Sequence, residues 1–547
     1  MYRHSTASAQ RTVAVMKRYD LIVVGAGPSG LSAATEAAES GMKVVVFDEN
    51  SRPGGQLFKQ IHKFFGSKEH HAKVRGFHIG EELLREAAAA GVEVELDAAV
   101  IGIYENKEIT VRKAEHIEHL KGDTIIVATG ASENMVPFEG WDLPGVIGAG
   151  AAQTMMNLHG VKPGQRILML GSGNVGLVVS FQLLQAGCEV VALADAAPTI
   201  GGYGVHASKL ARCGVPFYLS HTITKAEGSD RVTGAAISEV DDKFRPIKGT
   251  EEHFDVDTIC IAVGLSPMSQ LLKMSGCRMS DDPKRGGQVP DVDEYGETSV
   301  TGIFAAGDVS GIEEASSAMI EGRIAGARAA LRMGFISAEE ESARQKSFSA
   351  DLAGLRRGMF APGSKGRMPE KTEEGLDISV NLLTKGYLSD DEVTKYPGVV
   401  KKKGLHPVIE CSQNIPCDPC QDACRFNCIK VGNDITLLPQ VDMGSECTGC
   451  GMCVASCSGQ AIFLVNEDYD DRSASVTLPY EFLPLPRTGD SGFARGRSGE
   501  RLCTAEVIDV KTSPAYDKTN LLTIRVPKDM AMKARFYEPL PAREADA

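Results

Sequence analysis

Residues 19–56 read YDLIVVGAGPSGLSAATEAAESGMKVVVFDENSRPGGQ, and this stretch decides the fold of the N-terminal part of the chain. Four apolar residues ending at Val24 predict a strand, the glycines after them predict a tight turn, and the alanine-rich segment up to Gly41 predicts a helix. A second apolar strand then ends in acid at Asp48. This order of strand, G-x-G-x-x-G turn, helix and acidic strand end is the fingerprint of a dinucleotide-binding βαβ unit.

The glycines and the acid of this fingerprint each have a physical role. Gly25 permits the sharp turn, Gly27 lets the backbone approach a pyrophosphate, and Gly30 lets the helix pack closely on the strand. The N-terminus of the helix supplies free amide donors and partial positive charge for the phosphates. Asp48 is placed to bond a ribose hydroxyl. The stretch therefore predicts a nucleotide site rather than a simple turn.

Three further signals follow in the order typical of flavoproteins with two dinucleotide sites. Residues 53–56 (PGGQ) come first, an apolar strand ending at residues 128–130 (ATG) comes next, and a later apolar strand leads into Gly307 and Asp308. The Gly-Asp pair resembles that of the glutathione-reductase-like flavoproteins. This resemblance implies that Asp308 bonds the ribityl chain of FAD and that the next helix directs its positive end at the flavin ring. The predicted FAD residues are Gly25, Gly27, Pro28, Ser29, Gly30, Asp48, Glu49, Gly55, Gln56, Ala128, Thr129, Gly130, Gly307 and Asp308.

A second fingerprint starts 146 residues after the first. Residues 166–195 read RILMLGSGNVGLVVSFQLLQAGCEVVALAD, so the nucleotide-binding unit is duplicated. NAD, ATP or no ligand are all open for this copy, because a duplicated domain can keep its glycines for packing after losing its nucleotide. Its terminal acid would suit an unphosphorylated adenosine ribose and disfavours NADP. The candidate residues are Gly171, Gly173, Asn174, Val175, Gly176 and Asp195.

Nine of the 14 cysteines fall between Cys411 and Cys457, which is typical of metal ligation rather than disulfides in a large chain without an export signal. The second half of this block carries a CxxCxxCxxxC run of the bacterial ferredoxin type, and a shift of 33 residues maps three of its cysteines onto the first half. In two-cluster ferredoxins the fourth cysteine of each run ligates the other cluster. We therefore predict one [4Fe-4S] cluster on Cys447, Cys450, Cys453 and Cys424, and a second on Cys411, Cys417, Cys420 and Cys457.

Two alternatives stay open for this block. Cys411 lies three residues upstream of the position that the repeat predicts, so either Cys411 or Cys428 could complete the second cluster. Zinc is the competing metal, because CxxC pairs also bind it. The cysteines outside the block form no CxxC pair, so the flavin is not expected to reduce a protein disulfide by the usual route. Four of them are expected to be buried core thiols: Cys188, Cys213, Cys260 and Cys277.

Composition limits the function classes. The formal charge of −14, without a basic stripe, argues against a nucleic-acid partner. The longest basic run, residues 401–403, is interpreted as a solvated loop. His62, Lys63, His70, His71 and His78 follow the Gly-Gly-Gln turn and could reach the flavin, but a solvated loop is the favoured interpretation for them too. No apolar run is long enough to span a membrane, and the first residues lack the apolar core of a secretory signal. These features predict a cytoplasmic protein.

A chain of 547 residues is too long for one core, so several domains are expected. The expected fold class is α/β, with two Rossmann-like dinucleotide-binding domains, a ferredoxin-like α+β domain and a small C-terminal β domain. The predicted boundaries are residues 1–18 for an N-terminal tail, 19–135 with 290–335 for the FAD-binding domain, 136–289 for the second nucleotide-binding domain, 336–405 for a connector, 406–466 for the two-cluster domain and 467–547 for the β domain.

The flavin and nucleotide motifs, together with residues 135–157 (MVPFEGWDLPGVIGAGAAQTMMN), resemble the alpha subunits of dye-linked L-proline dehydrogenases, opine oxidases and hydrogen cyanide synthase. The resemblance covers residues 19–333, and the cysteine block resembles a ferredoxin-fused branch of this family. In the family the amine is usually oxidised at a second flavin on a separate chain, which implies that the partner is a flavin-containing beta subunit. Further expected partners are a small iron-sulfur subunit, together with an external acceptor such as a ferredoxin, a quinone or a dye.

Together these features predict an FAD and iron-sulfur subunit that relays electrons between flavin and [4Fe-4S] clusters. The expected assembly is a heteromeric dehydrogenase for an amine or amino acid of the proline, sarcosine or opine type. The alternative is an NADH-dependent flavoprotein reductase that feeds a ferredoxin-type acceptor, which the second glycine turn and Asp195 favour. No acid–base constellation is evident, so catalytic residues are left unassigned.

Overall fold

The computed structural model describes residues 16–357 and 379–540. In the first unit, strands β1, β2, β3 and β6 lie parallel in the order β3-β2-β1-β6, and β4 and β5 extend the sheet as an antiparallel meander. The elements are β1 (Lys17–Val24), α1 (Pro28–Glu39), β2 (Val44–Phe47), α2 (Gly76–Ala89), β3 (Glu93–Glu95), β4 (Ala98–Ile103), β5 (Glu108–Lys113) and β6 (His116–Val127).

The predicted N-terminal tail ends earlier than residue 18. Lys17 and Arg18 already belong to β1, where they pair in parallel register with Leu120 and Lys121 of β6. Residues 1–15 of the predicted tail lie outside the described residues. Strand β1 begins before the apolar run because its pairing with β6 already starts at Lys17.

The second unit repeats the strand order of the first. Its parallel strands follow the order β11-β10-β9-β15-β8, and an antiparallel sheet of β12, β13 and β14 lies beside them. The two predicted Rossmann-like units are therefore confirmed. The elements are β7 (Ala131–Glu133), β8 (Val146–Gly148), α3 (Ala149–His159), β9 (Arg166–Leu170), α4 (Asn174–Gln185), β10 (Glu189–Asp195), α5 (Gly204–Cys213), β11 (Phe217–Leu219), β12 (His221–Glu227), β13 (Gly234–Glu239), β14 (Glu252–Phe254), β15 (Thr258–Ile261), β16 (Leu265–Pro267), α6 (Gln270–Met274), β17 (Met279–Asp282) and β18 (Gly287–Pro290).

The chain then returns to the first unit through β19 (Ile303–Ala305), which pairs in parallel with β6. Helix α7 (Ala315–Arg332) packs on α1, because two glycines allow the backbones to approach closely. A Cβ at Gly322 would lie 2.1 Å from the carbonyl oxygen of Ser29, and a Cβ at Gly326 would lie 2.5 Å from that of Ala33. The small residues of α7 therefore allow its close approach to α1.

The predicted connector contains three helices in its described parts. Helix α8 (Ala338–Leu355) starts with a capping box, in which the Ser337 hydroxyl accepts the amide of Glu340 and the Glu340 carboxylate accepts the amide of Ser337. Two short helices, α9 (Val380–Lys385) and α10 (Asp390–Val393), follow. Residues 358–378 of the connector lie outside the described residues.

One antiparallel sheet of seven strands joins the cysteine block to the C-terminal segment, in the order β20-β23-β24-β27-β26-β25-β28. The predicted boundary between residues 466 and 467 therefore divides a single sheet, since β23 turns directly into β24. The elements are β20 (His406–Ile409), α11 (Pro419–Ala423), β21 (Ile429–Lys430), β22 (Gln440–Val441), α12 (Met452–Ser456), β23 (Ile462–Asn466), β24 (Ser473–Tyr480), β25 (Ser491–Arg495), β26 (Arg501–Lys511), β27 (Asn520–Pro527) and β28 (Phe536–Pro539).

The 33-residue repeat of the cysteines is also present in the backbone. Helices α11 and α12 start 33 residues apart and have the same length. The strands around them pair across the two halves, β20 with β23 and β21 with β22. Each half therefore completes the sheet of the other.

A carboxylate shared by two arginines holds the C-terminal sheet to the cysteine block. Glu410 follows β20 and accepts hydrogen bonds from Arg497 and from Arg535, whose side chain is only 1% exposed. Burial alone raises the pKa of Glu410, but the two guanidinium groups outweigh it and lower this pKa to about 2. Arg497 also pairs with Asp390 at 2.7 Å, so α10 joins the same network.

We expect Glu410→Gln to destabilise this part of the molecule by about 3–5 kcal/mol at neutral pH, because Arg535 would keep a buried charge without a carboxylate. Urea unfolding followed by limited proteolysis measures the change. The matched control is Glu506→Gln, which breaks an exposed pair with Arg525 and should cost about 1 kcal/mol or less. The folded pKa is depressed, so the difference between wild type and Glu410→Gln should be full above about pH 5 and shrink toward pH 2. A difference that did not change with acidification would contradict this account.

Candidate functional site

The first glycine turn leaves open space beside Gly27. Gly25 has a φ of 105°, and a Cβ at Gly30 would come within 1.9 Å of the carbonyl oxygen of Gly25. A Cβ at Gly27 would instead meet nothing within 4 Å. Helix α1 begins at the next residue, Pro28, and its first amides have no partner within the helix. The turn therefore combines the room and the donors that a pyrophosphate requires.

The other flavin-type signals lie against this turn. A Cβ at Gly25 would lie 2.4 Å from the carbonyl oxygen of Ala128, and a Cβ at Gly55 would lie 2.8 Å from the Cα of Gly27. Gly307 packs on Ser29, since its Cβ would lie 2.9 Å from the Cβ of that serine. Four stretches that are far apart in the sequence therefore meet at one point. The same loops also hold Gln56, Thr129, Gly130 and Asp308.

The acid at the end of β2 has a different partner from the one that its position predicts. The Asp48 carboxylate accepts the amide of Ala26 inside the glycine turn at 2.7 Å, and it accepts the amide and the side chain of Asn50 at 2.9 and 2.8 Å. It is 7% exposed, whereas the adjacent Glu49 is exposed. Asp48 therefore braces the turn, and Glu49 is the carboxylate that faces open space.

The second glycine turn has the same geometry as the first. A Cβ at Gly176 would lie 2.0 Å from the carbonyl oxygen of Gly171, and a Cβ at Gly173 would meet nothing within 4 Å. Gly171 packs against the carbonyl oxygen of Ala262, just as Gly25 in the first unit packs against the carbonyl oxygen of Ala128. Sequence reasoning missed this equivalence, although residues 257–264 (DTICIAVG) repeat the pattern of residues 123–130 (DTIIVATG).

Asp195 also braces its own turn. Its carboxylate accepts both the amide and the hydroxyl of Ser172 at 2.6 Å, and it accepts the amide of Ala197 at 2.8 Å. The residue after it is Ala196, so the position of Glu49 has no acid in the second copy. In the sequence Asp195 indicated a ribose ligand, whereas in the structure its hydrogen bonds stabilise the glycine turn.

A loop lies on the second turn as the Gly-Gly-Gln loop lies on the first. The amide of Gly202 donates to the carbonyl of Ser172 at 2.9 Å, and the amide of Tyr203 donates to the Asn174 side chain at 2.8 Å. Residues 200–203 (IGGY) therefore correspond to residues 53–56 (PGGQ), a second repeat that sequence reasoning missed. Val175, in the first turn of α4, is 42% exposed.

Tyr203 links the second unit to the first. Its hydroxyl donates to the carboxylate of Glu314 at 2.9 Å, directly before α7. Burial raises the pKa of both groups. The corresponding residue of the first unit, Gln56, is exposed. The two copies of the loop therefore differ in their outermost residue.

Eight cysteines of the block are described in two groups of four, which are the two ligand groups that the ferredoxin spacing predicts. Burial raises the pKa of Cys417 well above its ordinary value, and the neighbouring thiols of Cys420, Cys457 and Cys411 raise it further. We call these four residues the inner set. Cys420 is buried, with 8% of its surface exposed, and Cys411, Cys417 and Cys457 are half-buried.

The outer set consists of Cys424, Cys447, Cys450 and Cys453. These four line one shared cavity. Burial raises the pKa of Cys453, and the other three thiols add to the rise. Cys450 is exposed, so this set reaches the surface. The remaining cavity wall is mostly apolar and includes Pro407, Ala423, Phe426 and Ile429.

Cys428 lies beside the outer set, so Cys411 is the one of the two open candidates that accompanies the inner set. Burial raises the pKa of Cys428 to about 12, and Cys424 adds to this rise. The amide of Cys428 donates to the sulfur of Cys424 at 3.2 Å, and the amide of Ala461 donates to that of Cys457 at 3.3 Å. These two hydrogen bonds are equivalent under the 33-residue repeat.

The inner set lies against the first unit. The amide of Asp418, next to Cys417, donates to the carbonyl of Gly66 at 3.2 Å. The hydroxyl of Ser458, next to Cys457, donates to the carbonyl of Phe64 at 2.6 Å. The segment that follows the Gly-Gly-Gln turn is thus in direct contact with the inner cysteines.

The prediction of a solvated loop is wrong for this segment. Lys63 is 5% exposed, and its ammonium group donates to the carbonyls of Ala455 and Tyr516 at 2.6 and 2.8 Å and to the hydroxyl of Thr519 at 2.9 Å. Burial lowers the pKa of Lys63 to about 8, and Arg75 adds to the effect. The loop is a structural contact with the cysteine block and the C-terminal sheet.

Among the described residues, no group of three or more His, Cys, Asp or Glu side chains is arranged around a single metal ion. The outer set lines a pocket, as the ligands of a cluster with one iron per thiolate would. Outside the block, Cys188, Cys260 and Cys277 are buried in the apolar cores, as predicted, and Cys213 is half-buried.

Two parallel-sheet units, each with a glycine turn that opens a helix, define a protein of the two-dinucleotide flavoprotein class. The chain belongs to the pyridine nucleotide-disulphide oxidoreductase family, whose sequence pattern matches residues 19–334. It is an FAD-dependent oxidoreductase. None of the helices in residues 16–357 and 379–540 combines the length and the apolar composition needed to cross a bilayer.

Similar proteins include components of oxidases and of a synthase. An opine oxidase subunit from Rhizobium meliloti (strain 1021) is 29% identical over 57% of this chain and 70% of its own length. The HcnB subunit of hydrogen cyanide synthase from Pseudomonas aeruginosa is 29% identical over 61% of this chain and 76% of its own length. The alpha subunit of sarcosine oxidase from Corynebacterium sp. (strain P-1) is 28% identical over 58% of this chain and 33% of its own length. The L-proline dehydrogenase structure from P. horikoshii superposes with a TM-score of 0.48 at 19% identity, over 62% of this chain and 60% of its own.

We expect Gly27→Ala to fold normally and to lose its flavin. Alanine readily adopts the φ values of Gly27 and Gly173, −78° and −67°, and the added Cβ has free space at both positions. The two substitutions should therefore affect folding equally and differ only in their effect on a bound ligand. Flavin content, read from absorbance of the purified protein, should fall about tenfold or more in Gly27→Ala. The matched control, Gly173→Ala, should retain it and should have the same melting temperature. Equal flavin loss in both variants would refute the assignment of FAD to the first turn.

Proposed function

We propose that the chain is the FAD and iron-sulfur subunit of a heteromeric dehydrogenase for an amine or amino acid of the proline, sarcosine or opine type. The observation that supports the proposal is the pocket that Cys424 shares with Cys447, Cys450 and Cys453, since in a two-cluster ferredoxin the fourth cysteine of one run joins the three of the other. The names of the opine and sarcosine oxidase relatives support the substrate class and a heteromeric assembly. The partners that we propose are a flavin-containing beta subunit, a small iron-sulfur subunit or both. A bound FAD would supply the step between two-electron and one-electron carriers.

In this proposal the residues of the first unit hold FAD. The open space at Gly27 and the free amides of α1 would bind the pyrophosphate. Glu49 would bond the ribose, because Asp48 is already engaged within the turn. The hydroxyl of Ser29 is buried and has no hydrogen-bond partner among the described residues, so it is a donor suited to the phosphates.

The inner cysteine set would accept electrons from the flavin, and the outer set would pass them on. Support comes from the contacts of the inner set with residues 64–66 and from Phe65, whose ring lies 5.3 Å from that of Tyr203. Tyr203 in turn is bonded to Glu314, before the helix that the family directs at the flavin. The outer set reaches the surface at Cys450.

Two cysteine variants and one control test the clusters. Anaerobically purified protein should contain about eight irons per chain, and fewer than about seven would contradict the proposal. Cys417→Ala and Cys453→Ala should each lose about half of the iron, because they belong to different sets. Cys428→Ala should keep both clusters. In each of these two cysteine variants, EPR of the reduced protein should change from a spectrum of two interacting clusters to that of one cluster. Bound zinc in place of iron would show that zinc is the metal of this block.

The second nucleotide turn distinguishes the proposal from an NADH-dependent reductase. Its acid is engaged with Ser172, and Tyr203 stands between this turn and the first unit. Electrons should therefore come from the partner subunit, with an adenine nucleotide or no ligand at this turn.

We expect anaerobic NADH to leave the flavin oxidised on the stopped-flow time scale. The positive control is chemical reduction by dithionite, which should bleach the same sample. Fast bleaching by NADH would replace the proposed function with the reductase. The isolated chain should also fail to oxidise proline or sarcosine at the rate of the complex, and full activity without a partner would remove the heteromeric assembly.

A further inference from the structure

The basic run at residues 401–403 lies at the outer cysteine set. The ammonium group of Lys402 donates to the carbonyl of Ser445, two residues before Cys447. The hydroxyl of Ser445 donates to the carbonyl of Asn427 at 3.4 Å, beside Cys428. Three segments, 400–404, 424–430 and 442–450, therefore meet around the outer set, and we call them the basic rim.

The charge of the basic rim is opposite to that of the chain. Its segments contain five basic and two acidic side chains, in a protein with a formal net charge of −14. One pair, Lys430 with Asp442 at 2.9 Å, neutralises itself. Lys401, Lys403 and Arg425 are exposed. Glu446 is an exposed acid within the rim, and Asp468 accepts the amide of Gly404 at its edge, so the excess positive charge lies on the three exposed basic side chains.

The centre of the basic rim is apolar. Phe426 is 48% exposed and Met443 is 54% exposed. Cys450 is exposed on the same segment as Met443, and it lines the same pocket as Phe426. A small apolar centre with a charged edge suits a transient redox complex, whose interfaces are small and whose charges set the association rate. A cluster held by the outer set would lie directly beneath this surface.

We propose that the basic rim docks an acidic one-electron carrier protein, which takes electrons from the outer set. This proposal rests on the proposed function for the presence of clusters. It gives the lysine run, which the sequence left as a solvated loop, a role in partner choice. Because the remainder of the chain is acidic, an acidic carrier would be repelled elsewhere and guided to this one face.

The test uses the purified protein with its clusters and a variant with two charge reversals, Lys401→Glu and Lys403→Glu. The matched control reverses two exposed lysines of the second unit, Lys243→Glu and Lys248→Glu, so that the net charge changes equally. The probes are an acidic clostridial-type two-cluster ferredoxin, basic cytochrome c and a neutral quinone. Binding is measured by biolayer interferometry, and electron delivery from the chemically reduced protein is measured by stopped flow.

We expect the association rate with the acidic ferredoxin to fall about tenfold in the rim variant at low salt, and to fall similarly in wild type between about 20 and about 200 mM salt. The control variant should stay within about twofold of wild type. Delivery to the neutral quinone should be unchanged in both variants, which shows that the clusters are intact.

Three results would overturn the docking proposal. The first is an equal loss of association rate in the rim and control variants, and the second is faster electron delivery to cytochrome c than to the ferredoxin. The third is protection of the rim from hydrogen exchange by a copurifying subunit. Iron content separates these results from failure of the proposed function. A chain without clusters refutes the relay, while the binding measurement still decides whether the basic rim selects an acidic protein.

Discussion

A single buried ammonium group, that of Lys63, ties the first nucleotide unit to the cysteine block. It has three protons to donate, and it finds three acceptors, one each on Ala455, Tyr516 and Thr519. A buried charge is costly unless its hydrogen bonds are made, so displacing the first unit from the cysteine block would leave this ammonium group without its three acceptors. This constraint fixes where the Gly-Gly-Gln loop stands relative to the inner cysteines. The geometry of any electron path between the two depends on it.

The surroundings of Cys457 carry more positive than negative charge. Lys209 is 3% exposed and Arg212 is 6% exposed, and burial lowers the pKa of both, to about 8 for Lys209. The nearby carboxylate of Glu481 is shared with Arg75 at 3.0 Å. Lysine and arginine are almost never fully buried without an anionic partner. A thiolate-ligated cluster in the inner set would supply the missing negative charge, and the cations would stabilise its reduced form.

The sequence was most informative where one residue type is physically required. Gly25 and Gly30 predicted the turn because no side chain fits there. The 33-residue spacing of the cysteines predicted a repeat that the backbone also has, in helices α11 and α12. The sequence was least informative about which groups a side chain contacts in the folded protein. Asp48 and Asp195 each sit at a strand end that suits a ribose, and only the structure shows that both brace a turn. The seven-stranded sheet was divided wrongly because β23 and β24 pair across a short turn that resembles a domain boundary.

The two nucleotide units share an architecture and differ in what their loops meet. In the first, Glu49 and Gln56 are exposed at the turn, as a ligand site requires. In the second, the loop continues into α5, where the amide of Gly204 donates to the Gln413 side chain at 2.6 Å and Arg212 donates to the carbonyl of Gln460 at 3.0 Å. Both acceptors lie within three residues of an inner cysteine. The second copy therefore also supports the cysteine block, and the close contacts at Gly171 and Gly176 require glycine there whatever the turn binds.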